Sequence, residues 1–344
     1  MQRKTISYKN INIIFIQLKK LNLKKILVTG GAGYIGSHTI VELITAGYTP
    51  IIVDNLCNTS HKNIDGIESI IDAKVKWRNA DCTNKYAMDK VFSEEGKIDG
   101  IIHFAAHKSV EESVKNPQKY YDNNVGSLKV VLKCMQENEV KNIIFSSSCT
   151  VYGMPDVLPV DENAPFKKAE SPYGETKQIC EEMLKSDNCN SVALRYFNPI
   201  GSHPTTLIGD CSADRPSNLV PIIAECAIGK REYITIFGDD YNTPDGTCIR
   251  DYIHVVDLAK SHVKAMEFLI KNRGKHAFNV GTGIGVSVLE AIKAFEKINN
   301  LKINYSIGPR RSGDIEEIYA NVNLVNIKLD WEPKEILEKA MKSA

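Results

Sequence analysis

Tyr173 and Lys177 stand four residues apart in the run Ser171-Pro172-Tyr173-Gly174-Glu175-Thr176-Lys177, a spacing that puts a phenol and an ammonium on one face of a helix. The Ser-Pro start and the later apolar Ile179, Cys180, Met183 and Leu184 mark that helix. A free tyrosine titrates near pH 10, so acting as a base near neutrality requires about 3 pK units of help, roughly 4 kcal/mol. A nearby ammonium and an oxidised nicotinamide are both positive, and both favour phenolate. Upstream, Ser146-Ser147-Ser148-Cys149-Thr150 follows the apolar run Lys141 to Phe145, so hydroxyls collect at a strand end. Ser148 can there bond a substrate hydroxyl as it loses its proton, and Lys177 can donate to a nicotinamide ribose. Taken alone, such a pair is common in helices and such serines are ordinary turn formers. Their weight comes from the elements that precede them.

Lys24 to Gly36, KKILVTGGAGYIG, is a β-branched strand ending in four glycines. The glycines satisfy G-x-G-x-x-G through Gly31, Gly33 and Gly36, and G-x-x-G-x-x-G through Gly30, Gly33 and Gly36. From Tyr34, the apolar Ile35, Ile40, Val41, Leu43 and Ile44 recur at helical spacing until Gly47, which sets the glycines at a helix N-terminus suited to a pyrophosphate. The next strand, PIIVD, ends in Asp54 at the distance, about 20 residues, where a Rossmann unit places a carboxylate for the adenosine ribose. No Arg or Lys follows within Asn55 to Asn58 to receive a 2′-phosphate, which favours NAD over NADP. VKWRNADC reads as a third strand delivering Asp81, which either accepts from the adenine amino group or caps the following helix. DGIIHFAA is a buried fourth strand, with His107, Lys108 and Ser109 in a loop over the cleft; Asn116-Pro117 starts a long helix through Asn123 and Met135; SVALRYFN is a sixth strand. This alternation predicts an α/β fold, a Rossmann-type doubly wound parallel sheet over residues 24–199. After Pro199 the texture turns to Gly, Pro, Asp and Asn, predicting a smaller mixed α/β substrate lobe over 200–344 with segments returning to the first domain. In it Phe237 can stack on a base, and Arg250 and the Arg310-Arg311 turn beside Asp314 can grip an anion.

The 344 residues, 43% hydrophobic and 25% charged with net charge +1, provide no electrostatic case for nucleic acid or a membrane as main partner. Nine scattered cysteines without a CxxC read as reduced thiols in a cytoplasmic protein, and eight histidines without HExxH predict no metal. Residues 1–23 carry Arg3, Lys4, Lys9, Lys19 and Lys20 and no acid, and their longest apolar run is Ile13 to Ile16, too short for a secretory core or membrane span. They read as a frayed or spurious extension.

With these residues laid out, the chain resembles the UDP-glucose 4-epimerase family of extended short-chain dehydrogenases/reductases. The resemblance runs from about Lys24 to Asp314 through TGGAGYIGSH, DNLCN, HFAA-x-KSV-x-ES, YYDNNV, FSSS-x-TVYG, SPYG-x-TK, LRYFNP-x-G-x-HP, GT-x-x-RDYIHV and PRR-x-GD. It implies NAD held by Tyr34 and Ile35, by Asp54, Asn55, Leu56, Cys57, Asn58 and Thr59, by Asp81 and Cys82, by Phe104, Ala105, Ala106, His107 and Lys108, and by Asn123, Lys177 and Phe197. Ser148 and Tyr173 should meet the hexose, and Asn198, Asn218, Leu219, Phe237, Arg250, Arg311 and Asp314 the UDP part. The implied reaction converts UDP-galactose and UDP-glucose at C4 through a 4-keto sugar, in a homodimer paired through helices at about 117–138 and 172–187. His107 stands where the family often has leucine, and the chain stops short of a last helix seen in longer members. A 4,6-dehydratase of the same superfamily would need an Asp-Glu pair just before the VYG, where this chain has Cys149 and Thr150; a non-catalytic NAD sensor has no use for Tyr173 and Lys177. By the same resemblance Ile318, four residues after Asp314, stands at a gate on the hexose pocket, and its intermediate size implies mainly UDP-galactose with weak use of UDP-N-acetylgalactosamine; the alternative is that Ile318 is a core residue of the C-terminal lobe.

Overall fold

Strand β1 (Lys25–Thr29) carries Ile26, Leu27 and Val28 with no exposed surface on either face, the pattern of a parallel strand covered by helices on both sides. A computed structural model describes residues 24–212, 216, 218–311 and 314–344; the expectation for residues 1–23 lies outside them. Strands β2 (Thr49–Asp54), β3 (Lys76–Asn79), β4 (Gly100–His103), β5 (Asn142–Ser148) and β6 (Asn190–Tyr196) follow, then the short β7 (Asn198–Ile200), β8 (Ile234–Phe237), β9 (Ile249–Arg250) and β10 (Tyr252–His254), and β11 (Lys275–Val280). The main sheet has seven strands in the order β11-β6-β5-β4-β1-β2-β3, all parallel. The doubly wound parallel sheet read from the sequence is therefore present. Its order reverses between β1 and β4, which opens a crevice at the strands' C-terminal ends.

Because strand side chains alternate, one sheet feeds two cores: Ile26, Val28, Ile52, Ile102, Ile144 and Val192 on one face, and Leu27, Val53, Ile101, Ile143, Phe145 and Ala193 on the other. Strand β11 comes after much of the second lobe and pairs with β6 along Lys275–Val280, so the chain returns to the main sheet. Around a third core of Ile200, Val220, Ile223, Ile234 and Ile236, β7 pairs with β10 and β8 with β13 (Tyr305–Gly308), while β9 lies between β12 (Val286–Ser287) and β14 (Glu317–Ile318).

The long helix expected from Asn116-Pro117 through Met135 is present, with a π-helical turn inside it. Helices Val110–Lys115 and Pro117–Tyr120 lead into a π-helical turn at Tyr121–Val125, and only then does Gly126–Glu137 run on. The wider turn lets neighbouring asparagines serve different partners. Asn123 lines the crevice, while Asn124 grips the His107 main chain, accepting from its N–H at 2.8 Å and donating to its carbonyl at 3.1 Å.

Ile318 is 2% exposed and packs with Val151, Tyr152, Val160, Phe197 and Ala320, so the structure places it in a core cluster and not among the residues lining the crevice. Its β-branched side chain suits a strand position, here on β14 paired with β9. Ile318→Ala is expected to lower the unfolding free energy by about 2–4 kcal/mol in urea titration, as for other buried Ile truncations. A loss below about 0.5 kcal/mol, the range of surface substitutions, would place the side chain at the surface.

Candidate active site

The helix Pro172–Ser186 starts where the sequence places it: Pro172 sits in the first turn and Ser171 Oγ accepts from the Gly174 N–H at 3.2 Å. Strand β5 extends through Ser148, with Ser146, Ser147 and Ser148 in register with Leu194, Arg195 and Tyr196 of β6. Helix and strand end together bring Tyr173, Lys177 and Ser148 into the lining of one cleft. Lys177 is buried to 3% exposure; its Nζ donates to the Ser146 carbonyl at 2.5 Å and lies 5.8 Å from the centre of the Tyr173 ring. Burial pulls the Lys177 ammonium down to about 8, against Cys180 and Glu181, which favour its charged form. Burial likewise pushes the Tyr173 phenol up to about 12, opposed by its hydrogen bond to Ser148. The lowered tyrosine expected from the sequence is thus absent from the chain alone, because desolvation outweighs the neighbouring groups. A further positive charge has to supply the difference.

At the other end of the cleft stand Gly30, Gly33, Tyr34, Ile35 and Gly36. Gly30 has φ +69°, and a Cβ there would lie 2.7 Å from the Ala105 nitrogen; at Gly36 a Cβ would meet the Gly30 carbonyl at 2.2 Å. Only glycine allows this tight turn. Gly33 caps the helix Tyr34–Thr45 without a side-chain bond, and no acid occupies the first turn, which leaves its N–H groups for an anion. Asp54, at the end of β2, accepts from the Ala32 N–H at 3.0 Å and the Leu56 N–H at 2.9 Å, so its carboxylate is held in place with acceptor capacity to spare. Asn55, Cys57, Asn58 and Thr59 line the same wall, and the buried Oδ1 of Asn58 has no partner within the protein. Leu56 does not line the cleft; it takes a positive φ of 57° and packs against the core. Asp81 and Cys82 do line it. Asn84, not Asp81, caps the helix Lys85–Glu95, whereas Asp81 accepts from Asn55 at 3.1 Å and from Thr83. Phe104, Ala105, Ala106, His107, Lys108, Asn123 and Phe197 complete the cofactor wall. A glycine cradle, an anchored ribose carboxylate and an unpartnered buried amide oxygen fit a dinucleotide.

Of the residues expected to meet the UDP part, Asn198 and Asn218 line the cleft, whereas Leu219, Phe237, Arg250, Arg311 and Asp314 do not. The last four still form one group. Arg311 pairs with Asp314 at 2.7 Å and lies 5.3 Å over the Phe237 ring, and Arg250 approaches Asp314 at 3.9 Å. Leu219 opens the helix Leu219–Ala227, with Asn218 as its N-cap.

Three features were not read from the sequence. Asn124 holds the His107 loop and also donates to Thr176 Oγ1 at 3.2 Å; the polar Asp-Asn-Asn inside YDNNV was its signal. Lys108 pairs with Asp210 at 3.1 Å and lies 6.0 Å over the Tyr34 ring, and the Tyr34 hydroxyl donates to the Gly201 carbonyl. These contacts join the phosphate turn to the second lobe, and loop sequence carries no pattern that would reveal them.

Among proteins of known sequence, the chain is 48% identical over 314 residues to the UDP-glucose 4-epimerase of Dictyostelium discoideum, covering 89% of this chain and 90% of that one. It is 47% identical over 319 residues to the UDP-glucose 4-epimerase of Bacillus subtilis, covering 91% and 94%. The crystal structure of UDP-glucose 4-epimerase from Bifidobacterium longum in complex with NAD+ and UDP matches with a TM-score of 0.90 at 44% identity, over 93% of this chain and 96% of that chain. A family model described as NAD dependent epimerase/dehydratase matches residues 26–281. With its glycine turn, Asp54 and the Tyr173–Lys177 pair on one cleft, the chain belongs to the NAD dependent epimerase/dehydratase family.

Proposed function

We propose that this protein is an isomerase that interconverts UDP-galactose and UDP-glucose at hexose C4, using NAD held in the cleft. The observation that carries this reading is that Tyr173, Lys177 and Ser148 line the same cleft as the glycine turn and Asp54. The cradle Gly30–Gly36 would hold the pyrophosphate of NAD, Asp54 its adenosine ribose, Asp81 its adenine, and Lys177 its nicotinamide ribose. When bound, NAD supplies a hydride acceptor that takes the C4 hydrogen and later returns it, so no net redox occurs. Tyr173 takes the proton of the C4 hydroxyl while Ser148 bonds the same oxygen. Lys177 keeps a positive charge near Tyr173 that favours the phenolate from which the proton is accepted, in a buried setting where that charge acts strongly. Phe237, Arg250 and Arg311 hold the uridine diphosphate, so the 4-keto sugar turns over without leaving. Tyr173 then returns the proton to the opposite epimer. The cradle and Tyr173–Lys177 pair belong to an NAD-binding domain at 24–199, and the diphosphate clamp to a UDP-sugar lobe at 200–344.

A homodimer follows from the same family reading. The helical segments near 117–138 and 172–187 lie side by side, joined by a Tyr121–Glu175 hydrogen bond of 2.5 Å at an exposed surface. All nine cysteines are free, which supports a reducing compartment such as the cytoplasm, and among the described residues no helix is long and apolar enough to cross a membrane.

The direct test is incubation of purified protein with UDP-galactose and no added cofactor, alongside a light-scattering mass. UDP-glucose should form and the mass should be that of two chains; no product from a folded protein retaining NAD would refute the reaction. Tyr173→Phe should lower kcat by about 10²- to 10⁴-fold with the fold and NAD content intact, the usual contribution of a general base. Lys177→Met removes a cation that favours phenolate, so the acid limb of the kcat profile should move to higher pH; an unmoved limb would separate Lys177 from the base. Asp54→Ala should weaken NAD retention on dialysis by about 10- to 150-fold, the equivalent of one charge-assisted hydrogen bond of about 1.5–3 kcal/mol. Full occupancy after dialysis would detach Asp54 from the ribose.

A further inference from the structure

Tyr173, Lys177 and Glu181 recur at intervals of four along the helix Pro172–Ser186 and so share one of its faces. Glu181 is 2% exposed and its carboxylate takes both arms of Arg195, Nε at 3.0 Å and Nη2 at 2.8 Å. The same carboxylate accepts from the Ser147 hydroxyl at 2.5 Å. Ser147 and Arg195 are register partners on β5 and β6, and one helical turn earlier Lys177 holds the Ser146 carbonyl. Successive turns of the helix are therefore fastened to the two residues just before Ser148. Arg195 Nη1 extends the tie to the Tyr152 hydroxyl at 2.9 Å, which in turn donates to Asn279 on β11 at 2.6 Å. Stability does not explain an ion pair at this depth, because both charges lose their hydration and an apolar pair of equal volume is often as stable. What the bidentate pair adds is direction: planar, charge-assisted bonds that leave the helix one height and one rotation against the strand.

We propose that Glu181, Arg195 and Ser147 form a positioning cluster that sets the height and rotation of the Tyr173 helix against β5, and hence the approach of Tyr173 to the substrate hydroxyl beside Ser148. The role rests on the epimerase reading above. None of the three touches substrate in that reading; they act through the helix and the strand end. Since a displacement of about 1 Å can cost about 10²-fold in rate, loss of one tie should be visible in kcat without changing what binds.

The test compares wild type with Ser147→Ala, Ser147→Thr and the double variant Glu181→Leu/Arg195→Met for kcat and KM on UDP-galactose, bound NAD and melting temperature. Ser147→Ala should lose about 10-fold in kcat with KM within about two-fold and with NAD content and melting temperature unchanged. Ser147→Thr restores the hydroxyl and should recover most of that loss. The double variant, with its apolar pair, should melt like wild type and turn over at least as slowly as Ser147→Ala. Wild-type kcat in Ser147→Ala or in a folded double variant overturns the positioning role, as does a joint fall of kcat, NAD content and melting temperature that Ser147→Thr does not relieve. An NAD-loaded wild type inactive on UDP-galactose removes the epimerase reading and the positioning role together, whereas an active wild type beside a normal Ser147→Ala removes the positioning role alone.

Discussion

Lys177 carries an ammonium into a site where it is 3% exposed, with the Ser146 carbonyl at 2.5 Å as an acceptor and the Phe145 ring 4.8 Å away. Burying such a charge is unfavourable unless it is bonded on several sides, and an ammonium has three donors. The carbonyl at the end of β5 takes one; a ribose in the cleft is suited to take others. That single constraint ties the catalytic helix, the sheet edge and the cofactor together. It also explains the electrostatics of Tyr173. On its own the phenol is pushed up to about 12 by burial, and positive charge in the cleft beside it would oppose that shift.

The main sheet and the small sheets that follow it are built differently. Parallel strands deliver glycine, carboxylate and hydroxyl groups to one edge with little freedom, because β1, β2, β4, β5 and β6 are buried on both faces. The second lobe, built of short strands and loops, holds Phe237, Arg250, Arg311 and Asp314 as a mutually paired group. Contacts between Lys108 and Asp210 and between Tyr34 and Gly201 join the two across the phosphate end.

Much of this was legible in the sequence because it is local. The strand and glycine turn at Lys24–Gly36, the acid ending β2, and the Ser171-Pro172 helix start are each set by residues a few positions apart, and the structure has all three. The π-helical turn at Tyr121–Val125 was not, because it depends on what Asn124 bonds across the fold in the His107 loop and Thr176. Ile318 carried two readings in the sequence, a pocket gate and a core residue. A family position implied a pocket wall, but the strand pairing of β14 with β9 turns this apolar side chain into the cluster with Phe197 and Val151. The burial of Tyr173 was not legible either: a one-dimensional spacing shows a helpful neighbour but not the depth of burial that opposes it.

Transient oxidation at C4 by a retained cofactor can be observed without perturbing the protein. UDP-galactose bearing deuterium at C4 is converted by the purified protein in ordinary water, and the product is read by mass spectrometry and NMR. The label should remain at C4 of UDP-glucose, since the hydrogen removed from that carbon is returned to it. Deuterium lost to solvent, or found at another carbon of the sugar, would contradict the mechanism.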